Sequence, residues 1–294
     1  MAQLTIKQSI NKIYYQQPVV KEDILKFKTA LSEFYHKILD KQIEGNQETH
    51  LRDFLKSTFY KDYEINKPED NNIDWAIHLG NRESSNIGVI IEAKRTANQS
   101  EMISTIDLNR KALHELILYF LIERVEKKND DIRNLIATNM WEFFIFDGQL
   151  FEQLFYKNKS FLKEFKKFRD GVKTDKSTSH FYNEIAYPYV ATILEKIDYT
   201  HFNLDSFAKS FDDEKKLKEI IPLYKVFSNI HILKLPHTND SNTLNKSFYT
   251  ELLHIIGIEE VTVSSNFLYL FGIFSALSCI YIFLTFKKYY SKKI

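Results

Sequence analysis

Three residues in the first third of the sequence have the types and the spacing of a metal-dependent hydrolytic site. They are Asp74 and the two outer residues of Glu92-Ala93-Lys94, a tripeptide that follows the apolar run 87–91. Side chains alternate between the two faces of a strand, so Glu92 and Lys94 are predicted to point the same way. A hairpin centred on Glu83 would place Asp74 opposite Glu92, since each lies nine residues from that centre. Two carboxylates and one ammonium group would then meet at one edge of a sheet.

This arrangement predicts a site for a hard divalent cation, Mg²⁺ first and Mn²⁺ as the alternative. Two carboxylates held close together repel each other and lose solvation unless a cation lies between them. Lys94 would orient or deprotonate an attacking water, or neutralise the charge of a pentavalent phosphate. Glu48, at the start of a predicted buried helix stripe, is the predicted supporting carboxylate that holds a water on the metal. An exposed ion pair is the alternative interpretation of Glu92 and Lys94 taken alone.

The elements that position these residues are predicted from the period of the apolar residues. A repeat of three or four residues indicates an amphipathic helix, and short apolar runs bounded by polar turns indicate strands. The helices are predicted at 22–40, from about 46 to 59 and from about 104 to 127, and the strands at 73–77, 87–91, 135–138 and 142–146. Ile106 belongs to the predicted apolar stripe of the third of these helices. This order predicts an α/β fold with a mixed sheet flanked by helices.

Beyond Gly148, basic residues alternate with phenylalanines over 155–169. We interpret this segment as an amphipathic helix with a solvated basic face, and a contact with a DNA backbone is the alternative. A polar linker is predicted at 173–179, with helices at 182–198 and 246–256.

Composition narrows the class of protein. The 294 residues include 40 Lys+Arg and 39 Asp+Glu, a balance that argues against a purely electrostatic nucleic-acid binder. The single cysteine, Cys279, excludes an intrachain disulfide and a thiolate metal cluster, which fits a reducing cytosol. The first residues lack the apolar core of a secretory signal. We therefore expect a folded cytoplasmic protein.

The order Glu48, Asp74, Glu92-Ala93-Lys94 resembles that of the PD-(D/E)XK nucleases, which cut DNA with Mg²⁺. A closer resemblance, over roughly residues 1 to 260, is to the N-terminal region of type IIG restriction enzymes, which carry nuclease, adenine methyltransferase and target recognition on one chain. The segments that carry it are Gln3–Ser9, Glu48–His50, Ile87–Arg95, Asn98–Met102, Ala112–Tyr119 and Phe144–Asp147.

The resemblance implies a restriction-endonuclease-like mixed sheet in a nuclease domain at 1–170, followed by a mainly helical connector at 171–263. It implies that Asp74, Glu92 and the backbone carbonyl of Ala93 bind the metal, that Lys94 is catalytic, and that Glu48 supports them. The implied activity is Mg²⁺-dependent hydrolysis of double-stranded DNA within a restriction-modification system. One departure is Ile73, which precedes Asp74 where the family usually has proline.

The sequence contains no Asn-Pro-Pro-Tyr or Asp-Pro-Pro-Tyr motif and no glycine-rich cofactor loop, so no S-adenosylmethionine site is predicted. We expect a separate methyltransferase and specificity chain as partner, or missing C-terminal domains that would supply those functions. The alternative is a cleavage-incompetent fragment that serves as a DNA-binding or assembly module.

The last segment of the chain is the least polar. Residues 266–286 carry no charge, and a run of roughly 20 such residues can span a bilayer as a helix. A cytosolic nuclease before this run would put the lysines that follow it on the outer side, against the positive-inside tendency. We therefore expect residues 264–294 to be a truncated or out-of-frame tail, and a membrane-anchored protein is the alternative.

Overall fold

The computed structural model describes residues 2–39, 47–68, 72–171, 177–211, 213 and 216–235. The strands are β1 (Gln3–Leu4), β2 (Ile65–Asn66), β3 (Trp75–His78), β4 (Ile87–Ala93), β5 (Asn134–Thr138), β6 (Glu142–Asp147) and β7 (Tyr199–Asn203). The α-helices are α1 (Ile6–Ser9), α2 (Lys12–Gln16), α3 (Lys21–Leu39), α4 (Gln47–Thr58), α5 (Lys111–Leu121), α6 (Gly148–Phe151), α7 (Lys159–Arg169), α8 (Thr178–His180), α9 (Tyr187–Ile193), α10 (Ala208–Phe211), α11 (Leu217–Phe227) and α12 (Asn229–Ile232).

Shorter helical turns extend or link these helices. Wider π-helical turns follow α5, α6 and α8, and 3₁₀ turns surround β7. The π-helical turns are Ile122–Glu126, Glu152–Tyr156 and Phe181–Ala186, and the 3₁₀ turns are Leu194–Lys196 and Leu204–Phe207.

The strands form one seven-stranded mixed sheet in the order β1-β7-β6-β5-β4-β3-β2. β4 pairs with β5 in parallel and with β3 antiparallel, so it lies inside the sheet. All seven of its residues are buried, as the continuous apolar run predicts for a central strand. The predicted α/β class, with a mixed sheet flanked by helices, is confirmed.

Helices cover both faces of the sheet, and strand alternation divides the core between them. Ile90 packs with α5, α7 and α9 on one face, which we call the α5 face. Its neighbours Val89 and Ile91 pack with α3, α4 and α11 on the other, the α4 face. Because the side-chain period along β4 is two residues, Glu92 points toward the α5 face.

The third predicted helix begins later than expected. Ser104 and Asp107 exchange backbone hydrogen bonds in a tight turn, and the Asp107 carboxylate accepts a hydrogen bond from Asn109 N at 3.0 Å. These contacts give the backbone an alternative to helix over 104–110, so α5 starts at Lys111. Ile106, predicted to lie on the buried stripe, is 94% exposed.

The basic segment after Gly148 folds as α7, with Phe161, Phe165 and Phe168 buried on one side. An amphipathic helix is therefore present as predicted, and the DNA contact stays an untested alternative. The predicted helix at 182–198 is realised as the π-helical turn Phe181–Ala186, α9 and the 3₁₀ turn Leu194–Lys196.

The segment predicted as a mainly helical connector contributes to the sheet. β7 pairs antiparallel with β6 and parallel with β1, so residues after 170 help close the same sheet that carries Glu92. Every element named above lies in the first compact unit of the chain, Met1–Asp240. The boundary at 170 was implied by the family resemblance, whereas strand pairing joins residues on both sides of it in one sheet.

Two predictions fall outside the described residues: the helix at 246–256 and the tail at 264–294. Within the described ranges, no helix combines the length and the apolar character that crossing a membrane requires.

Candidate active site

The hairpin brings Asp74 to the end of β4, as its sequence position predicts. Trp75 lies opposite Ile91 and Ala76 opposite Ile90, a register centred on Glu83. Asp74, one residue before β3, accepts a hydrogen bond at its Oδ2 from Ala93 N at 2.8 Å. The Asp74 carboxylate is therefore held against the tripeptide that contains Glu92 and Lys94.

Lys94 is buried between carboxylates from two elements. Its Nζ donates to Glu92 Oε1 at 2.6 Å and to Oε2 of Glu115, a residue of α5. A third carboxylate oxygen, Glu101 Oε2, lies 3.7 Å from the same nitrogen. The interpretation of Glu92 and Lys94 as an exposed ion pair is wrong, because both side chains are less than a tenth exposed.

The charges around Lys94 do not balance. Lys111 adds a second ammonium group, whose Nζ lies 2.8 Å from Glu101 Oε1 and 3.9 Å from Glu115 Oε1. We call the six residues the Lys94 cluster: Asp74, Glu92, Lys94, Glu101, Lys111 and Glu115. With every group ionised, four carboxylates surround two ammonium groups, and the formal charge is −2. One divalent cation would balance that charge.

Burial and crowding shift the protonation of the cluster. Burial, with the charges of Asp74 and Glu115, raises the pKa of Glu92 well above its usual value despite the opposing effect of Lys94. Burial lowers the pKa of Lys94, but the charges of Glu92 and Glu115 raise it by more, so its net pKa is raised. The site therefore resists additional negative charge and retains its ammonium group.

One carboxylate oxygen in the cluster lacks a protein partner. Glu92 Oε2 is buried and accepts no hydrogen bond from the described residues. Leaving a buried charged acceptor unsatisfied is costly, and a hard cation is a suitable partner for it. This orphaned oxygen, next to the Asp74 carboxylate, fits the predicted Mg²⁺ site.

The donor set also fits the way Mg²⁺ is usually bound. No three His, Cys, Asp or Glu side chains of the described ranges are arranged to hold a metal together. Mg²⁺ in proteins commonly takes only one or two carboxylates and keeps several waters. Asp74 and Glu92, with the Ala93 carbonyl as the third predicted ligand, match that mode.

Glu48, the predicted supporting residue, lies in the first turn of α4. α4 packs on the α4 face through Leu51, Phe54 and Leu55, whereas Glu92 points toward the α5 face. The Glu48 side chain lies outside the described residues, so its supporting role stays a prediction.

The sequence reasoning missed Glu115, Glu101 and Lys111. A signal for Glu115 was present, because it is a carboxylate within a run of buried, mostly apolar residues, Ala112–Leu121. Buried carboxylates are rare unless they are paired, so such a residue predicts a cationic partner. Glu101 and Lys111 had no comparable signal, since they lie in and beside an irregular loop and are partly exposed.

The family model described as "Domain of unknown function (DUF7149)" matches residues 4–240. The chain belongs to this family. The DUF7149 match ends where the first compact unit ends, at residue 240, and contains the whole Lys94 cluster. No curated protein and no solved structure matches the chain.

Proposed function

We propose that this chain is the Mg²⁺-dependent DNA endonuclease module of a restriction-modification system, acting in the cytoplasm. The observation that carries the proposal is the buried, unpartnered Oε2 of Glu92 beside Asp74, in a cluster whose formal charge is −2. A divalent cation between these carboxylates would relieve their mutual repulsion and satisfy the unpartnered oxygen.

Asp74, Glu92 and the carbonyl of Ala93 would hold the cation. When bound, Mg²⁺ would supply Lewis-acid chemistry, by polarising a phosphodiester and making a nearby water more acidic. Binding would also relieve the repulsion that raises the pKa of Glu92. Mn²⁺ would serve the same ligands.

Lys94 would act as a fixed positive charge. Its ammonium group is held by Glu92 and Glu115, which leaves one of its three N–H donors for a third acceptor. That donor would orient a water or stabilise the charge that develops on the phosphate during attack. Glu115 fixes the ammonium group from α5, so we assign it as a positioning residue. Glu48 stays the proposed supporting carboxylate.

The substrate would be double-stranded DNA, and target recognition and methylation would come from a partner chain or from other domains. The neutral balance of 40 basic and 39 acidic residues suits a module that relies on local contacts and a metal.

A cleavage-incompetent DNA-binding or assembly module is the second candidate. The position of Lys94 favours it, because the ammonium group already neutralises part of the negative charge that would attract the metal. Its prediction differs from the first: stable association with DNA or a partner chain, and no metal-dependent cutting.

The test is cutting of supercoiled plasmid by the purified full-length chain with Mg²⁺, Mn²⁺ or EDTA. We expect Lys94→Ala and Glu92→Gln each to reduce cutting by about 100-fold or more. The matched controls are Lys61→Ala and Glu83→Gln, which change exposed residues and should cut like the wild type. Undiminished cutting by Lys94→Ala would contradict the proposal, and a wild type that binds DNA without cutting would favour the second candidate.

A further inference from the structure

A separate group of cationic and aromatic side chains, Arg52, Lys67 and Trp75, lies on the α4 face. Trp75 directly follows Asp74 and is only 6% exposed. The guanidinium of Arg52 lies 5.4 Å from the centre of its ring, and the Nζ of Lys67 lies 5.2 Å from it. Two cationic groups therefore contact one buried indole ring.

The fold brings these residues together from three elements. In the β2–β3 pairing Asn66 lies opposite Ala76, so the next residue, Lys67, follows opposite Trp75. Cross-strand neighbours project from the same face of a sheet. Arg52 reaches the same ring from α4, one turn after Glu48. The convergence is a product of tertiary packing rather than of sequence adjacency.

The indole N–H has no acceptor in the described part of the chain, although Trp75 Nε1 is fully buried. Buried donors are rarely left unpaired, because they lose their hydrogen bonds to water. Among the described residues, Arg52 has one acidic partner, the exposed Asp53, whose Oδ1 lies 3.0 Å from Nη2. An anion with several acceptor oxygens would pair with the indole N–H and with both cations.

We propose that Arg52, Lys67 and the Trp75 indole N–H bind a phosphate of the DNA backbone. This inference rests on the proposed function. Trp75 directly follows Asp74 of the proposed nuclease site, and we therefore choose DNA rather than a free anion as the ligand. Adjacent strand residues point to opposite faces, so the two sites hold different phosphates on either side of one sheet edge. Contacts of this kind set the position of the duplex and carry no sequence information.

The test measures DNA binding separately from cutting. The full-length chain is titrated with a fluorescently labelled 20-base-pair duplex of mixed sequence in EDTA, and anisotropy is recorded from about 50 to 200 mM salt. We expect Arg52→Gln and Lys67→Gln each to weaken binding about tenfold. Each should also reduce the slope of log K against log salt by about 0.9. Arg82→Gln, an exposed arginine in the hairpin turn, is the matched control and should bind like the wild type.

A second measurement addresses the indole directly. The sequence contains two tryptophans, so Trp141→Phe leaves Trp75 as the only indole fluorophore. Its emission should change with duplex DNA and should change much less when Arg52→Gln is added. Trp75→Phe keeps the aromatic ring, removes the donor, and should weaken DNA binding about threefold to tenfold, with unchanged circular dichroism.

Unchanged affinity and salt slope in Arg52→Gln and Lys67→Gln would overturn the phosphate site. An emission change with inorganic phosphate but none with DNA would overturn the choice of DNA. If the wild type cuts plasmid while these variants bind normally, the nuclease stands and the phosphate site falls. If the variants weaken binding but no metal-dependent cutting is found, the phosphate site stands and the nuclease falls. Absence of DNA binding by the wild type would overturn the phosphate site.

Discussion

Lys94 and Lys225 are both buried lysines, but the protein surrounds them differently. Lys94 is held by the carboxylates of Glu92 and Glu115. Lys225, on α11 and 1% exposed, donates to the backbone carbonyls of Tyr14 and Gln17 at 2.5 and 2.6 Å. No carboxylate within the described ranges lies at ion-pair distance from it. One lysine lies among excess negative charge, and the other among neutral groups.

The difference separates a chemical role from a structural one. Lys225 also lies 4.8 Å from the centre of the Tyr14 ring, and the Tyr14 hydroxyl donates to Ser228 Oγ at 2.8 Å. These contacts tie the N-terminal segment to α11 through neutral acceptors, with no carboxylate excess around the ammonium group. Burial lowers the pKa of Lys225, whereas neighbouring carboxylates raise the pKa of Lys94. A buried lysine can thus hold a fold together, and of these two lysines Lys94 is the one that contacts a carboxylate, Glu92, that we propose binds a metal.

Removal of the Lys94 ammonium group should give the largest effect on stability. Lys94→Met leaves the Glu92 and Glu115 carboxylates buried without their shared cation, and we expect a loss of about 3–5 kcal/mol in the free energy of unfolding at pH 7 without Mg²⁺. Urea denaturation measures it, with the exposed Lys61→Met as control. A loss below about 1 kcal/mol would show that the carboxylates are not paired with Lys94 in the way described.

Acid should lower the free energy of unfolding through His114, which lies on α5 beside Glu115. Burial lowers the pKa of His114 to about 4, and its Nε2 lies 2.7 Å from Asn109 Oδ1. The unfolded chain takes up this proton first, so stability should fall as the pH drops from about 6.5 to about 4, by on the order of 3 kcal/mol. His114→Gln should remove that part of the pH dependence in urea denaturation.

The exposed His36 provides the control for that measurement. His36→Gln is the matched substitution of an exposed histidine in the same denaturation series. If His114→Gln leaves the pH dependence of the free energy of unfolding unchanged, the His114 ring is not held in its neutral form by the fold.

Substitution of Lys225 should cost less and should not affect chemistry. Lys225→Met removes the ammonium donor from the backbone carbonyls of Tyr14 and Gln17, which should reduce the free energy of unfolding by about 1–3 kcal/mol. The groups around Lys225 are not part of the proposed metal site. Mg²⁺ should therefore stabilise Lys225→Met and the wild type equally in thermal denaturation. A variant that loses its response to Mg²⁺ would break the distinction between the two lysines.

The central elements of the fold could be predicted from sequence because local signals and tertiary packing agree there. The apolar run before Glu92 forms β4, and symmetry about Glu83 gives the hairpin register that carries Asp74 to the same edge. The start of α5 could not be predicted from periodicity, since the Asp107 turn replaces the helix that Ile106 would have extended. The role of β7 was also missed, because pairing with distant strands leaves no local pattern.

The candidate site shows the same division. Asp74, Glu92 and Lys94 come from one hairpin, so spacing alone places them together. Glu115 joins them from α5 through helix–sheet packing, and Glu101 and Lys111 join through an irregular loop and the start of that helix. The spacing of residues along the sequence does not indicate these tertiary contacts. Without them the charge surplus that points to a divalent cation is not visible.

The most direct test is Mg²⁺ binding measured by isothermal titration calorimetry on the full-length chain at pH 7.5. We predict that the wild type and Lys225→Met bind Mg²⁺ with the same affinity, and that Glu92→Gln binds at least about tenfold more weakly. Equal Mg²⁺ affinity in Glu92→Gln and the wild type, or no binding by the wild type, would contradict the proposed metal site.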